Sequence, residues 1–276
     1  NLIQTIVDFN YSEKIKTLEL REKLKCNIKI NTGMNRIGEK YDDFDKLSKI
    51  YENQKLNILG TFSHLCVADS EKEEDIEFTN NQINRFNETI IKLKEKGYNV
   101  GKVHIQSSYG TINYKREDYD YVRMGILMYG VNSSVDSYVV NKLDLKPVLS
   151  LKARITSVRD INENESVSYG RTYTATKTQK IASVSIGYAD GIPRNLSNKE
   201  MLVKVNGKYA KVLGRICMDQ LVIDVSDIDN VEIGNEVYII DGKDRKLSSE
   251  KLSEKAQTIT NEILCRLAIR LPRIEK

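Results

Sequence analysis

The apolar pattern changes its period about halfway along the 276 residues, and this change restricts the possible folds more than any other feature. Up to about residue 130, short apolar runs alternate with longer helical patterns, which is typical of parallel strands joined by helices. From about Pro147, apolar and polar residues alternate in short runs between turn residues, which is typical of antiparallel strands. The sequence therefore predicts an α/β domain over residues 1–145 and a mostly antiparallel β domain over residues 146–276.

Five apolar runs in the first half predict strands, with helical patterns between them. The runs are LIQTIV, NIKIN, ILGTFSH, KVHIQ and YVRMGI, and helices are expected over residues 11–24, 43–52 and 72–96. A closed (β/α)8 barrel needs eight strands, and an open sheet of five leaves an unprotected edge. Two arrangements are therefore open: a doubly wound open sheet, or the last five strands of a barrel whose first three units precede residue 1. We favour the barrel.

The second half contains further short strand patterns and one helical pattern. The strand patterns are VLSLKARITSV, KIASVSI, MLVKV, YAKVLGRI, QLVIDV and EVYII. Asn206 and Gly207 lie between two alternating runs and predict a tight two-residue hairpin. A helix is expected over residues 248–267.

Charge and composition exclude several classes of function. Lys and Arg total 43 against 39 Asp and Glu, and no basic block stands alone, which argues against a nucleic-acid partner. No apolar run approaches the ~20 residues needed to cross a bilayer, so no membrane contact is expected from this stretch, and NLIQTIVDFN does not resemble a signal peptide. The four cysteines form no CxxC pair, which predicts a cytoplasmic protein without a metal site.

Polar residues cluster where the predicted parallel strands end, which is where such folds place their chemistry. KINTGMNRIG carries Arg36, whose planar guanidinium suits a carboxylate, although an ordinary loop with a solvated arginine is the alternative. His64 follows a strand and titrates near neutrality, but a lone histidine is often only structural; His104, inside KVHIQ, is the weaker candidate. QSSYG and VRMGI offer small hydroxyls and a glycine N–H suited to a phosphate, although such residues also simply form turns.

Several longer motifs together resemble the alanine racemase family. They are KINTGMNRIG, TFSHLCVAD, VSYGRTYTA, IGYADGIPR, GRICMDQLVIDV and RLPRI, in the family's order and with similar spacing over essentially the whole chain. The resemblance implies the C-terminal part of a (β/α)8 barrel that binds pyridoxal 5'-phosphate, followed by a mostly antiparallel β domain. It also implies racemization of a small amino acid by a homodimer whose active sites are shared between subunits.

The resemblance assigns catalytic and cofactor roles to particular residues. Tyr169 matches a catalytic base and is expected to contact His64, which in turn contacts Arg123. Arg123 is expected to face the pyridine nitrogen of the cofactor, which it cannot protonate. The matches to the phosphate-binding positions are Ser108, Gly125 and Ile126.

The resemblance also assigns substrate contacts. Arg36, Met218 and Asp219 match the motifs around the substrate carboxylate, with Met218 acting through its backbone. Lys29 matches a lysine that carries a carbamate in many relatives and braces Arg36.

Three departures from the family pattern concern the site. Gln106-Ser107-Ser108 replaces the usual Ala-Asn-Ser, and Asn31 replaces an aspartate. Asn261 replaces an active-site tyrosine and could hydrogen-bond a hydroxymethyl group. This last change resembles the serine-racemizing branch associated with vancomycin resistance, whose members carry an N-terminal membrane domain that would tether the parent protein. The alternative is a drifted tyrosine site that still prefers alanine.

The lysine that binds the cofactor covalently in this family lies in a VKANAYGHG-like segment, and these residues contain no such segment. We therefore expect that lysine upstream of residue 1. The competing hypothesis is a truncated, catalytically incompetent fragment that only binds phosphate or dimerizes. A different reaction in a related cofactor-binding barrel, such as aldol cleavage or decarboxylation, is disfavoured by the motifs around Tyr169 and Met218.

Overall fold

The computed structural model describes residues 2–115 and 118–275. The chain divides into two compact units. The first contains residues 2–125 and Ser137–Leu143, and the second contains Ile126–Asp136 and residues 144–275.

A parallel sheet forms the centre of the first unit. Its strands are β1 (Gln4–Ile6), β2 (Leu24–Asn31), β3 (Glu39–Lys40), β4 (Leu56–Phe62) and β5 (Lys102–His104). The order is β1-β2-β4-β5, and β3 pairs with the end of β2. Ile28 and Ile30 face one side of β2 and Lys29 faces the other, and all three are buried, as in a parallel sheet that is covered on both faces.

Four helices accompany this sheet: α1 (Phe9–Lys16), α2 (Phe44–Tyr51), α3 (Glu73–Glu95) and α4 (Ser108–Asn113). The predicted helix over 72–96 is confirmed. Three acidic residues in its first turn and two lysines in its last turn complement the helix dipole, and Gly97 follows with a φ of +82°. The prediction over 11–24 was too long: the helix ends at Lys16, and Leu24 already pairs in β2.

The predicted fifth strand at YVRMGI is wrong. Among the described residues, this segment forms only an isolated parallel bridge between Ser107 and Arg123. Tyr121 and Val122 are about half exposed, so no buried face favours a longer ladder. A 3-10 turn over Ile126–Tyr129 then follows.

The second unit is built on a closed antiparallel barrel, which confirms the predicted β domain. The barrel strands are β6 (Leu151–Ile161), β9 (Gln179–Val184), β10 (Leu202–Val205), β11 (Lys208–Leu213), β12 (Leu221–Asp224) and β13 (Glu236–Ile240). They close in the order β10-β11-β12-β9-β6-β13 around a core that includes Val184, Val203 and Ile223. A separate hairpin pairs β7 (Ser166–Val167) with β8 (Tyr173–Thr174).

The predicted hairpin turn at Asn206 and Gly207 is confirmed, whereas the predicted single C-terminal helix is wrong. Asn206 and Gly207 join β10 to β11 with φ values of +48° and +77°, as a tight hairpin turn requires. The helix expected over 248–267 is two helices, α5 (Ser249–Ala256) and α6 (Thr260–Arg266). Gln257 adopts the left-handed conformation with a φ of +58°, which ends α5.

No helix among the described residues has the length and apolar content needed to cross a bilayer. Within the same residues, no group of three or more His, Cys, Asp or Glu side chains is arranged to hold a metal ion.

Candidate active site

Arg123 lies at the centre of a polar cluster in the first unit. Its backbone N–H donates to Gln106 O at 2.9 Å, which fixes the residue beside the end of β5. Its Nη2 donates to Ser63 O at 2.7 Å and to Nδ1 of His64 at 3.1 Å, and its Nη1 contacts Nδ1 of His104. The guanidinium also lies over the ring of Phe62. Strand ends and one loop therefore converge on a single cation.

Both histidines that contact Arg123 are neutral near pH 7. Burial, followed by the positive charge of Arg123, lowers the pKa of His64 to about 4 and that of His104 to about 4. Since Arg123 donates to Nδ1 of each ring, the ring proton lies on Nε2. The sequence identified His64, whereas it ranked His104 as the weaker candidate. The available signal was that His104 is the last residue of β5, at the strand end where such folds place chemistry.

The free donors of Arg123 fit the pyridine nitrogen of the cofactor implied by the motifs. Within residues 2–115 and 118–275, its Nε has no hydrogen-bond acceptor and no carboxylate lies within 4.0 Å of its guanidinium. Burial lowers the pKa of Arg123 to about 10, so the group still carries its proton at neutral pH. A cation with a spare N–H and no acidic partner suits a neutral acceptor.

Lys29 is buried beside the same cluster. Its Nζ donates to Ile30 O at 3.1 Å and to Ser63 Oγ at 3.5 Å. Burial, together with the charges of Arg123 and Arg36, lowers the pKa of Lys29 to about 7. Near neutral pH, much of this amine is therefore unprotonated and able to react with an electrophile.

The predicted phosphate-binding residues fall in both units. Ser108 begins α4, is buried, and its Oγ accepts a hydrogen bond from Gly125 N–H at 2.9 Å. Ile126 is buried at the start of the 3-10 turn in the second unit. Gln106, one of the departures, uses its Nε2 to donate to Gly110 O at 2.9 Å and to Lys115 O, so it stabilises the region of α4.

The loop that carries Arg36 is held by the second departure. Asn31 Oδ1 accepts from Gly33 N–H at 3.1 Å and from Asn35 N–H at 3.0 Å. Its Nδ2 donates to Asn35 Oδ1 at 2.9 Å, a contact that an aspartate could not make. Asparagine therefore closes this loop locally, and Arg36 lies exposed within it.

Tyr169 lies on an exposed, tightly turned segment of the second unit. Its side chain is 68% exposed, and the flanking Ser168 and Arg171 adopt left-handed φ values of +65° and +49°. Ser168 Oγ donates to Arg215 O and so ties the turn to the neighbouring loop. An open cleft of about 440 Å³ is lined by Ser168, Tyr169, Cys217, Met218, Asp219 and Gln220.

The loop that carries Met218 and Asp219 is braced by Arg270. Arg270 Nη2 donates to Asp219 Oδ1 at 2.7 Å, and its Nε donates to Asp190 Oδ1 at 2.7 Å. Met218 O accepts from Ala189 N–H at 2.9 Å. The Asp219 carboxylate is therefore balanced by a cation, whereas the Met218 N–H has no acceptor within the described ranges.

Asn261 has one end of its amide fixed. Its Oδ1 accepts from Ser133 Oγ at 2.9 Å, and the neighbouring Thr260 N–H donates to Ser133 O at 2.7 Å. No acceptor for its Nδ2 lies among the residues that the structure describes. The amide nitrogen is thus available to a ligand.

The predicted site residues form two groups. The first unit holds Lys29, Arg36, His64, Ser108, Arg123 and Gly125, and the second holds Ile126, Tyr169, Met218, Asp219 and Asn261. His64 and Arg123 are in direct contact, with Lys29 close by. Tyr169, Met218 and Asp219 line one cleft.

Comparisons with known proteins agree with this geometry. The family descriptions "Alanine racemase, N-terminal domain" and "Alanine racemase, C-terminal domain" match residues 1–133 and 148–275. The chain is 40% identical over 275 residues to an amino-acid racemase from Enterococcus faecalis, covering 98% of this chain and 38% of that protein. It is 35% identical over 272 residues to a serine/alanine racemase from Enterococcus gallinarum, with 98% and 38% covered.

A solved structure extends the similarity to the fold. The crystal structure of alanine racemase from Bacillus anthracis with bound L-Ala-P superposes with a TM-score of 0.88 at 31% identity, covering 98% of this chain and 69% of that one. The class is therefore that of racemases with an N-terminal barrel domain and a C-terminal β domain. The chain belongs to the alanine racemase family, whose members depend on pyridoxal phosphate.

The chain spans 38% of the length of each of the two enterococcal racemases. The division of the chain into family domains at residues 145 and 146 stays a prediction, as do the individual roles of the site residues.

Proposed function

We propose that the complete gene product containing these residues racemizes a small amino acid, L-serine or L-alanine, with pyridoxal 5'-phosphate as cofactor. The observation that carries the proposal is Arg123, a cation that faces two neutral histidines and keeps a free N–H. When bound, pyridoxal phosphate withdraws electrons from the substrate α-carbon and makes its proton removable.

Arg123 would hold the pyridine nitrogen by donating a hydrogen bond without transferring its proton. By leaving the pyridine nitrogen unprotonated, Arg123 would favour simple return of the proton over transamination or loss of the side chain. The hydroxyl of Ser108 and the backbone of Gly125 and Ile126 would hold the phosphate group. The contact between Ser108 Oγ and Gly125 N–H supports the first two assignments.

Tyr169 would move one of the two α-protons. A free phenol has a pKa near 10, so the base role needs a route that passes its proton on. In the proposed homodimer, Tyr169 of one copy works beside His64 of the other. The exposure of Tyr169, and the neutral state of His64, support this arrangement.

Arg36 and the free backbone N–H of Met218 would bind the substrate carboxylate, in the loop region that also carries Asp219. Lys29 would carry a carbamate, formed when its neutral Nζ adds to carbon dioxide and a proton is released. The resulting anion would lie among the positive charges that now lower the pKa of the lysine. It would stabilise Arg36, which a protonated Lys29 would repel.

The proposal extends to serine through Asn261. Its free Nδ2 would donate to a substrate hydroxyl, and a hydrogen bond of this kind discriminates between ligands with and without that hydroxyl. The relative from Enterococcus gallinarum is named a serine/alanine racemase. We therefore propose that the D-amino acid enters cell-wall precursors, with a link to vancomycin resistance.

A direct assay tests the proposal. The complete gene product is purified with pyridoxal phosphate and incubated separately with L-serine and L-alanine, and the D-enantiomers are quantified by chiral chromatography. Formation of D-serine or D-alanine is the expected result. Absence of both products from cofactor-loaded protein would reject the proposed function.

A further inference from the structure

A buried glutamine on α3 joins the two loops that carry candidate site residues. Gln82 is fully buried. Its Nε2 donates to Thr32 Oγ1 at 3.3 Å and to His64 O at 3.2 Å. Its Oε1 accepts from Cys66 N–H at 3.2 Å and from Cys66 Sγ at 3.4 Å. An amide offers two N–H groups and two acceptor positions, so every hydrogen-bonding position of Gln82 is used.

Gln82 and Arg123 hold different atoms of the segment 63–66. Arg123 Nη2 holds Ser63 O at 2.7 Å and His64 Nδ1 at 3.1 Å, while Gln82 holds the next carbonyl, that of His64, and the N–H of Cys66. The main chain of His64 is therefore fixed by Gln82, and its ring is fixed by Arg123. Removing either contact allows the imidazole to shift with respect to the guanidinium.

Gln82 also donates to one end of a chain of hydroxyl groups whose direction is set by the carbonyl of Ile30. Thr32 Oγ1 and Ser63 Oγ lie 2.9 Å apart, and geometry alone allows either to be the donor. Ser63 Oγ donates to Ile30 O at 2.8 Å, so it accepts from Thr32. Thr32 in turn accepts from Gln82. The lone pair of Ser63 is then directed to Nζ of Lys29, which lies 3.5 Å away.

We propose that Gln82 is a positioning residue that holds His64 so that its unprotonated Nδ1 meets Arg123. The catalytic meaning of this proposal rests on the proposed racemase function, whereas the placement of His64 can be measured without activity. If Gln82 only satisfied buried backbone groups, its loss would lower stability and leave the tautomer of His64 unchanged.

The test uses 15N-histidine NMR of the cofactor-loaded complete gene product at pH 7. The signal of His64 is assigned from its loss in His64→Gln. Gln82→Met removes all four hydrogen bonds and has a similar side-chain volume. Gln82→Glu keeps the side-chain shape but replaces both N–H donors by a carboxylate oxygen. Either variant can be used alone if the other does not fold. Thr79→Val is the matched control, because Thr79 is buried on the same helix and bonds only its own backbone at Asp75 O.

We expect wild type and Thr79→Val to show an unprotonated Nδ1 at His64, and both Gln82 variants to lose that signal in favour of a mixture of tautomers. In the racemase assay, the Gln82 variants should lose about 10- to 100-fold in kcat with KM changed by less than about twofold, as expected for a misplaced catalytic group. An unchanged His64 signal in a folded Gln82 variant would overturn the positioning role. Absence of racemization in wild type would count against the function alone, because the NMR result still decides the placement.

Discussion

Arg123 Nη2 donates a hydrogen bond to Nδ1 of His64 at 3.1 Å, so a permanent cation is paired with a neutral imidazole. A histidine in a charged pair usually faces a carboxylate, and the negative charge raises the pKa of the imidazole. Here the guanidinium lowers the pKa of His64 to about 4, second to burial. The pairing therefore keeps His64 as an acceptor over the physiological pH range.

The neutral state of both histidines predicts a distinctive titration. In wild type, the C2–H resonances of His64 and His104 should titrate near pH 4, and Arg123→Met should move both midpoints part of the way towards 6.5, because burial remains. Unfolded imidazoles bind protons near pH 6.5, so this contribution to stability is present above pH 6.5 and is lost as the pH falls through 4. Midpoints near 6.5 in wild type would contradict the neutral pairing.

Tyr169→Phe should abolish racemization starting from one enantiomer while leaving pyridoxal phosphate bound. The change removes only the hydroxyl that would carry the proton. Activity from each enantiomer is followed by chiral chromatography, and cofactor content by absorbance. The matched control is Tyr209→Phe, which removes a phenol that bonds Asp244 on the barrel surface and should change neither measurement. Loss of cofactor in parallel with activity would count against the base role.

Asn261→Tyr should shift the preference from serine towards alanine by at least about tenfold in the ratio of kcat/KM values, because the amide N–H offered to a hydroxymethyl group is replaced by a larger ring. Both substrates are assayed on the same preparation. Cys265→Ser changes an exposed residue of the same helix and should leave the ratio as in wild type. A ratio unaltered by the tyrosine would reject Asn261 as a determinant of specificity.

Lys29 should bind carbon dioxide in a pH-dependent manner. With a pKa of about 7, about 90% of the free amine is neutral at pH 8 and about 10% at pH 6, so carbamate occupancy should rise across this interval. The measurement is 13C NMR of protein equilibrated with 13C-bicarbonate. Lys29→Arg keeps a cation that cannot form the carbamate and should lack the signal. The same signal in this variant would place the modification elsewhere.

Sequence reasoning predicted the elements that depend on local pattern. The long amphipathic helix α3, the strand β13 and the turn at Asn206 and Gly207 follow from periodicity and turn chemistry. It failed at YVRMGI, where an apolar run does not find a ladder partner beyond the bridge at Arg123. It also joined α5 and α6, because the left-handed Gln257 lacks the glycine that usually marks a helix end.

The sequence by itself determined that the chain has a parallel α/β part and an antiparallel β part, and its motifs predicted the residues of the site. The tertiary structure alone decided that His104 and His64 both contact Arg123. It alone also decided that Gln82 holds the segment 63–66. Periodicity reports which face of an element is buried. The contacts of His64 with Gln82 and with Arg123 join residues that are 18 and 59 positions apart in the sequence. They depend on how the strand ends and α3 come together in space, which no local sequence pattern encodes.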